Sequence, residues 1–137
     1  LMSNIREDKG YTYGIGSALM SLEKEGFFVI MSEVKAEVSK ETIKEIVFEL
    51  DKLRNELIPS EELNLVKSFM LGEMLSSIDG PFALAETFKS IHFFGLGYDY
   101  FDKVVDEIKT ITPEKLNALA NKYFHADSMH LVVAGKY

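Results

Sequence analysis

The sequence has 137 residues, 47% of them hydrophobic and 27% charged, with a formal net charge of -7 and no cysteine. A chain of this length can bury roughly two-thirds of its unfolded surface around one core, and its acidic balance disfavours nucleic acid and anionic membrane as partners, because both repel negative charge. The lack of cysteine excludes disulfides and thiolate metal sites, and no apolar run approaches the ~20 residues a membrane-spanning helix needs.

The opening Leu1-Met2-Ser3 reads as helix interior. The chain is therefore expected to be a fragment truncated at its N-terminus, and the absence of a signal-peptide pattern assigns it no compartment. Asn4 to Gly14 reads as the last turns of a helix, a glycine stop and the start of a strand. Gly10 suits the left-handed residue that ends a helix, since it has no Cβ to clash. Tyr11-Thr12-Tyr13 supplies the aromatic and β-branched residues that favour a pleated strand.

The strand pattern continues to about Leu22. Strict alternation puts Tyr11, Tyr13, Ile15, Ser17 and Leu19 on one face and Thr12, Gly14, Gly16, Ala18 and Met20 on the other. Glu23-Lys24-Glu25-Gly26 is a polar hairpin turn, and residues 27–36 form the return strand. Ser39 can cap the next helix, with Glu41 favourable near its positive end. Ile43, Ile46, Val47, Leu50, Leu53 and Leu57 trace one apolar stripe on that helix, and Pro59 stops it.

A second helix starts at Ser60 and carries Leu63, Val66, Phe69, Met70 and Met74. Asp79-Gly80-Pro81 breaks the chain. A third helix covers about 82–94, Gly95-Leu96-Gly97 is a loop, and a fourth helix covers about 99–109. Thr112-Pro113-Glu114 starts a fifth, with threonine as cap and proline at the first helical position. It ends near Phe124, and residues 129–134 read as a buried strand. A hairpin followed by helices predicts an α+β fold, an antiparallel sheet with a helical layer on one face, rather than alternating βαβ units. No repeat, low-complexity segment or dividing linker is visible, so residues 1–137 are read as a single domain.

The ordered set of motifs carries a resemblance. Arg6, Glu7, Lys9, Gly10 and Tyr13 match the pattern Arg-Glu-x-Lys-Gly-x-x-Tyr. Val66-Lys67-x-Phe69-x-Leu71-Gly72 follows, then Ser77-x-Asp79-x-Pro81-x-Ala83-x-Ala85-Glu86, Ile111-Thr112-Pro113-Glu114-x-Leu116 and Leu131-Val132-Val133-Ala134-Gly135. Together they resemble the C-terminal, non-metal domain of the pitrilysin/insulinase-type zinc peptidases, in the branch containing the mitochondrial processing peptidases. The resemblance covers nearly the whole chain. It implies the LuxS/processing-peptidase-like metallohydrolase fold, here without the strands that precede the arginine–tyrosine segment in that family. It also implies that Arg6 and Tyr13 reach a peptide or protein substrate held at zinc in another domain or subunit. The family's zinc motif, H-x-x-E-H with a distant glutamate, is absent from this sequence, so the zinc ligands are expected outside this chain.

Residue by residue, the chemistry agrees with that implication without requiring it. The Arg6 guanidinium is a fixed cation suited to carbonyl oxygens or carboxylates, and it would also sit favourably at a helix C-terminus. A tyrosine hydroxyl donates a hydrogen bond at neutral pH, and a donor aimed at a developing oxyanion stabilises the tetrahedral intermediate of peptide hydrolysis. Tyr13 would equally serve as a strand tyrosine packing its ring. Tyr11 lies on the same predicted face and competes for the role.

His92, His125 and His130 lack the spacing of a zinc site, so no metal is expected on this chain. Glu23, Glu25, Glu61, Glu62, Asp106 and Glu107 read as solvated charges. Gly14-x-Gly16 reads as close packing or as room for a substrate strand. Met70 and Met74 read as core. The leading reading is the substrate-binding domain of a zinc metalloendopeptidase, inactive by itself. The alternative is a non-catalytic structural or partner subunit of the same family. An unpaired sheet edge left by the missing strands is expected to promote association between chains, a homodimer for example.

Overall fold

The computed structural model describes residues 1–135 and resolves them into two compact units. The first comprises Leu1–Glu56 together with the chain from Asn117 onward, and the second is Leu57–Leu116.

The first unit opens on a π-helix, Met2–Asp8, where the sequence predicts helix interior. Its end is tied off by Lys9 N–H donating to the Asn4 carbonyl and Gly10 N–H to the Arg6 carbonyl, both at 3.1 Å. Gly10 then takes φ +64°, the left-handed conformation expected of it. Strands β1 (Thr12–Ser21) and β2 (Gly26–Val34) form an antiparallel hairpin, the two-stranded sheet of the molecule's described residues. Its turn is closed by Leu22 N–H on the Glu25 carbonyl at 2.8 Å.

The register departs from strict alternation at one place. Thr12 pairs with Val34 and Ile15 with Ser32, three steps on β1 against two on β2. This is a β-bulge, which inserts one residue and resets the side-chain alternation beyond it. Thr12 and Ile15 are consequently both buried, although alternation puts them on opposite faces.

Helix α1 (Ser39–Asn55) begins one residue earlier than a capping role for its serine requires. A 3-10 turn, Ala36–Val38, brings the chain into helical conformation before Ser39. Ser39 therefore lies inside the helix, buried, and makes no capping hydrogen bond, so the capping expectation is corrected. The far end stops at Asn55, short of Leu57, which is exposed. The stop has a tertiary cause. Asn117 Nδ2, on α5 (Pro113–Tyr123), donates to the Leu53 carbonyl at 3.0 Å and to the Arg54 carbonyl at 2.8 Å, and Asn121 Nδ2 donates to the same Arg54 carbonyl at 2.8 Å. These amides satisfy carbonyls that the helix end leaves free.

The π-helix packs against both β1 and α1. Asn4 Nδ2 donates to Glu45 Oε2 at 2.9 Å and to Glu49 Oε1 at 2.7 Å, one turn apart on α1. Lys9 Nζ adds an ion pair with Glu45 at 3.0 Å. Ile5, Ile15, Leu50 and Ala120 are the buried apolar residues of this unit. The strand expected over residues 129–134 is not found. Those residues carry no regular secondary structure, and Leu131 and Val132 are exposed. An apolar run becomes a strand only where a neighbouring ladder receives it, and among the described residues β1 and β2 pair only with each other.

The second unit is helical: α2 (Ser60–Ser77), α3 (Pro81–Phe93) and α4 (Tyr100–Thr110). Pro81 occupies the first turn of α3 after Gly80 at φ +90°. Leu63, Ile91 and Ile108 are buried. Lys67 Nζ on α2 donates to the Lys109 carbonyl of α4 at 3.1 Å. The three helices border a cavity of about 880 Å³ lined by Leu71, Met74, Phe88, Ile91, Phe101 and Val105, among others. Met74 thus faces open space, and Met70 is exposed, so neither is the core residue that the sequence suggests. The reason is that apolar and polar residues are interspersed around the circumference of α2, so no single stripe defines an inward face. Thr112 does cap α5 as predicted, accepting from Lys115 N–H at 3.3 Å.

Two measurements probe these contacts. Asn117→Ala removes both bonds to the end of α1 and is expected to cost about 1–2 kcal/mol, read as a lower denaturant midpoint with an unchanged slope. The clasp on the π-helix should depend on pH at both ends of the range. Hydrogen bonds from Asn4 and then Lys9 hold the Glu45 carboxyl below its ordinary value of 4.5. Its contribution is therefore complete above that value and lost as pH falls through the lowered one. The bond to Glu45 raises Lys9 above its ordinary 10.5, so that contribution is complete below 10.5 and lost as pH rises through the raised value. The amide protection factors of the opening segment, taken relative to the intrinsic exchange rate at each pH, should fall at both extremes and be highest between them. A flat profile would contradict the clasp.

Candidate functional site

The two residues singled out at the head of the chain both sit on local departures from regular structure. Arg6 lies in the π-helix, a form that is rare and concentrated at functional positions. Tyr13 lies in the β-bulge, a device that re-aims a side chain. Their chain connection is the φ +64° turn at Gly10 and the bond from Tyr11 N–H to the Ile5 carbonyl at 3.0 Å. Ile5, fully buried, anchors the helix beside Arg6. Asn4 and Lys9 fasten the same segment to α1 on either side of it.

Both candidate side chains are uncommitted. Arg6 is exposed, and Tyr13 is 98% exposed. Among the described residues neither side chain has a hydrogen-bond or ion-pair partner, whereas the neighbouring Lys9 is engaged. The structure also separates the two competing tyrosines. Tyr11 precedes β1 and is half-buried, while Tyr13 stands clear in the bulge.

Gly14 and Gly16 do not serve close packing within the chain. A Cβ placed on either would meet nothing within 4 Å. The sequence reading of close packing is thereby corrected, and the surface beside Tyr13 is open backbone. Glycine inside a strand pattern is itself a signal of a bulge, and that signal was available at Gly14. The residues that sequence reasoning missed are Asn4, Thr12 and Ser32. Their roles depend on long-range hydrogen bonds to Glu45, Glu49 and Glu33, which spacing along the chain does not reveal.

Zinc does not fit the residues present. Among the described residues no group of three or more histidines, aspartates and glutamates could hold a metal ion. His92 is exposed and stacks on Phe88 at 6.0 Å, and His125 and His130 are exposed in the first unit. Glu23, Glu25, Glu61, Glu62, Asp106 and Glu107 are likewise exposed, as solvated charges should be. No helix among the described residues is long and apolar enough to cross a membrane.

Comparison with known proteins bears on the whole chain. The family model described as the peptidase M16 inactive domain matches residues 1–70, which include the π-helix and the bulge. An uncharacterised zinc protease, YmxG, of Bacillus subtilis (strain 168) is 27% identical over 128 residues, covering 93% of this chain and 31% of the relative. The crystal structure of a peptidase M16 inactive domain from Pseudomonas fluorescens superposes with a TM-score of 0.80 at 27% identity, covering 92% of this chain and 30% of that one. A protease from Helicobacter pylori gives a TM-score of 0.77 at 23% identity, over 91% of this chain and 30% of that one, and shares the fold. This chain thus spans less than a third of the length of these relatives. With the family model covering half of the sequence and the α+β fold matching along nearly all of it, the chain belongs to the peptidase M16 inactive-domain family.

Proposed function

We propose that this chain is the substrate-binding, metal-free module of a larger zinc endopeptidase that hydrolyses peptide bonds in polypeptides. In this reading the single domain read from the sequence is one part of a longer peptidase. The zinc ligands belong to another domain or subunit, and Arg6 and Tyr13 face the substrate held there. The observation that carries the proposal is the coincidence of two irregular elements, a π-helix and a β-bulge, with two exposed and unpartnered polar side chains.

Each side chain has a chemical task suited to its form. The Arg6 guanidinium presents several donors in a fixed plane and can clamp a substrate carbonyl or carboxylate. The Tyr13 hydroxyl can donate to the oxygen that gains charge as a peptide carbonyl becomes tetrahedral, an interaction stronger in the transition state than in the ground state. The open backbone at Gly14 and Gly16 leaves room for an extended polypeptide to pass beside Tyr13.

Wide apolar exposure supports the presence of a covering domain. Leu65, Phe69, Leu75 and Phe82 in the second unit are each at least two-thirds exposed, and patches of this kind mark interaction surfaces. A non-catalytic partner subunit is the second reading. It is favoured by the description of the matching family as inactive.

The two readings separate on one substitution in the full-length protein. Tyr13→Phe should lower kcat on fluorescein-labelled casein by about 100-fold or more. The melting temperature should hold, because the hydroxyl bonds nothing in the fold. Unchanged turnover, or no turnover in the parent protein at all, would favour the partner subunit. The chain by itself should retain no zinc on dialysis and cleave no casein with zinc added, and robust cleavage would refute the assignment. Light scattering should show it self-associating through the free hairpin edges, and a clean monomer at high concentration would remove that part of the proposal.

A further inference from the structure

We propose that Thr12 and Ser32 are positioning residues for Tyr13, holding the bulge in the one geometry that presents its hydroxyl. The inference rests on the proposed role of Tyr13 and adds what controls it. A ring that is 98% exposed has no packing partner to fix its direction. The backbone sets the direction in which the side chain leaves the strand, and that backbone lies at the irregular point of β1, where the ladder supplies no regular partner.

Side chains replace the ladder there. The backbone N–H of Gly14 donates to Thr12 Oγ1 at 3.1 Å. Thr12 Oγ1 lies 2.7 Å from the Glu33 carbonyl and 2.8 Å from the Gly14 carbonyl. Ser32 Oγ lies 3.0 Å from both Thr12 Oγ1 and the Gly14 carbonyl. Each hydroxyl has one proton to give. One arrangement satisfies every group: Gly14 N–H to Thr12 Oγ1, the Thr12 hydroxyl to the Glu33 carbonyl across the hairpin, and the Ser32 hydroxyl to the Gly14 carbonyl. Both polar backbone groups of the residue after Tyr13 are thereby held from β1 and β2.

Thr12 suits this task better than a flexible alcohol would. It is only 9% exposed, and β-branching restricts its χ1, so its hydroxyl is both fixed in direction and screened from competing water. Valine in its place keeps the shape and loses the oxygen. Serine keeps the oxygen and loses the methyl.

The experiment is a double-mutant cycle in the full-length protein, with fluorescein-labelled casein as substrate. Thr12→Val should reduce kcat by about 10- to 100-fold with little change in KM. Thr12→Ser should restore most of the rate. In a Tyr13→Phe background, Thr12→Val should add no further loss, because the two act through the same hydroxyl. If its loss instead multiplies with that of Tyr13→Phe, Thr12 supports the fold generally and the inference is overturned while the Tyr13 role stands. If Tyr13→Phe alone leaves the rate unchanged, the underlying reading fails and the inference with it. Should Thr12→Val not fold, Ser32→Ala, at a half-buried position, is expected to show the same non-additivity with a smaller loss, and additivity there would equally overturn the proposal.

Discussion

One carboxamide does much to organise the head of this molecule. Asn4 bridges Glu45 and Glu49 with its two protons, turning an i, i+4 pair of like charges on α1 from a repulsion into a receptor. Lys9 completes the charge balance from the other end of the same segment. With the π-helix fixed on α1 and Ile5 buried beneath it, the left-handed turn at Gly10 launches β1 from a defined point. The bulge then comes two residues after that turn, before the strand has settled into regular pairing. Helix, turn and bulge thus form one continuous device whose outward-facing products are Arg6 and Tyr13.

The same logic explains what was readable in advance. Elements announced by backbone chemistry were legible: the stop at Gly10, the hairpin turn at 23–26, the break at Gly80-Pro81, and the threonine cap before Pro113. Each follows from conformational preferences of one or two residues. That Arg6 and Tyr13 act as a pair is implied by the ordered resemblance rather than by spacing. Features that depend on distant partners were not legible. The end of α1 is decided by Asn117, 64 residues from the Leu53 carbonyl it caps. The resetting of β1 is decided with Ser32 and Glu33, on the other strand. The apolar run at 129–134 and the stripeless α2 misled for a related reason, since hydrophobicity reports a wish to be covered and does not name the cover.

The division into two units fits this picture of function. Every residue of the proposed site and its supports, from Asn4 to Glu49, belongs to the first unit. The second unit carries none of that chemistry. It presents instead a helical surface rich in uncovered leucine, methionine and phenylalanine, with an 880 Å³ cavity among α2, α3 and α4.

The return strand has a further consequence for this chain in solution. Phe27-Phe28-Val29-Ile30-Met31 is a run of uncharged, β-prone residues without proline, on a strand that among the described residues pairs on one side only. Such runs are the seeds of cross-β aggregation. Here they are bracketed by Glu23, Lys24 and Glu25 before the run and by Glu33 and Lys35 after it. Charges so placed act as gatekeepers, because stacking identical chains in register would stack each charge upon its own kind.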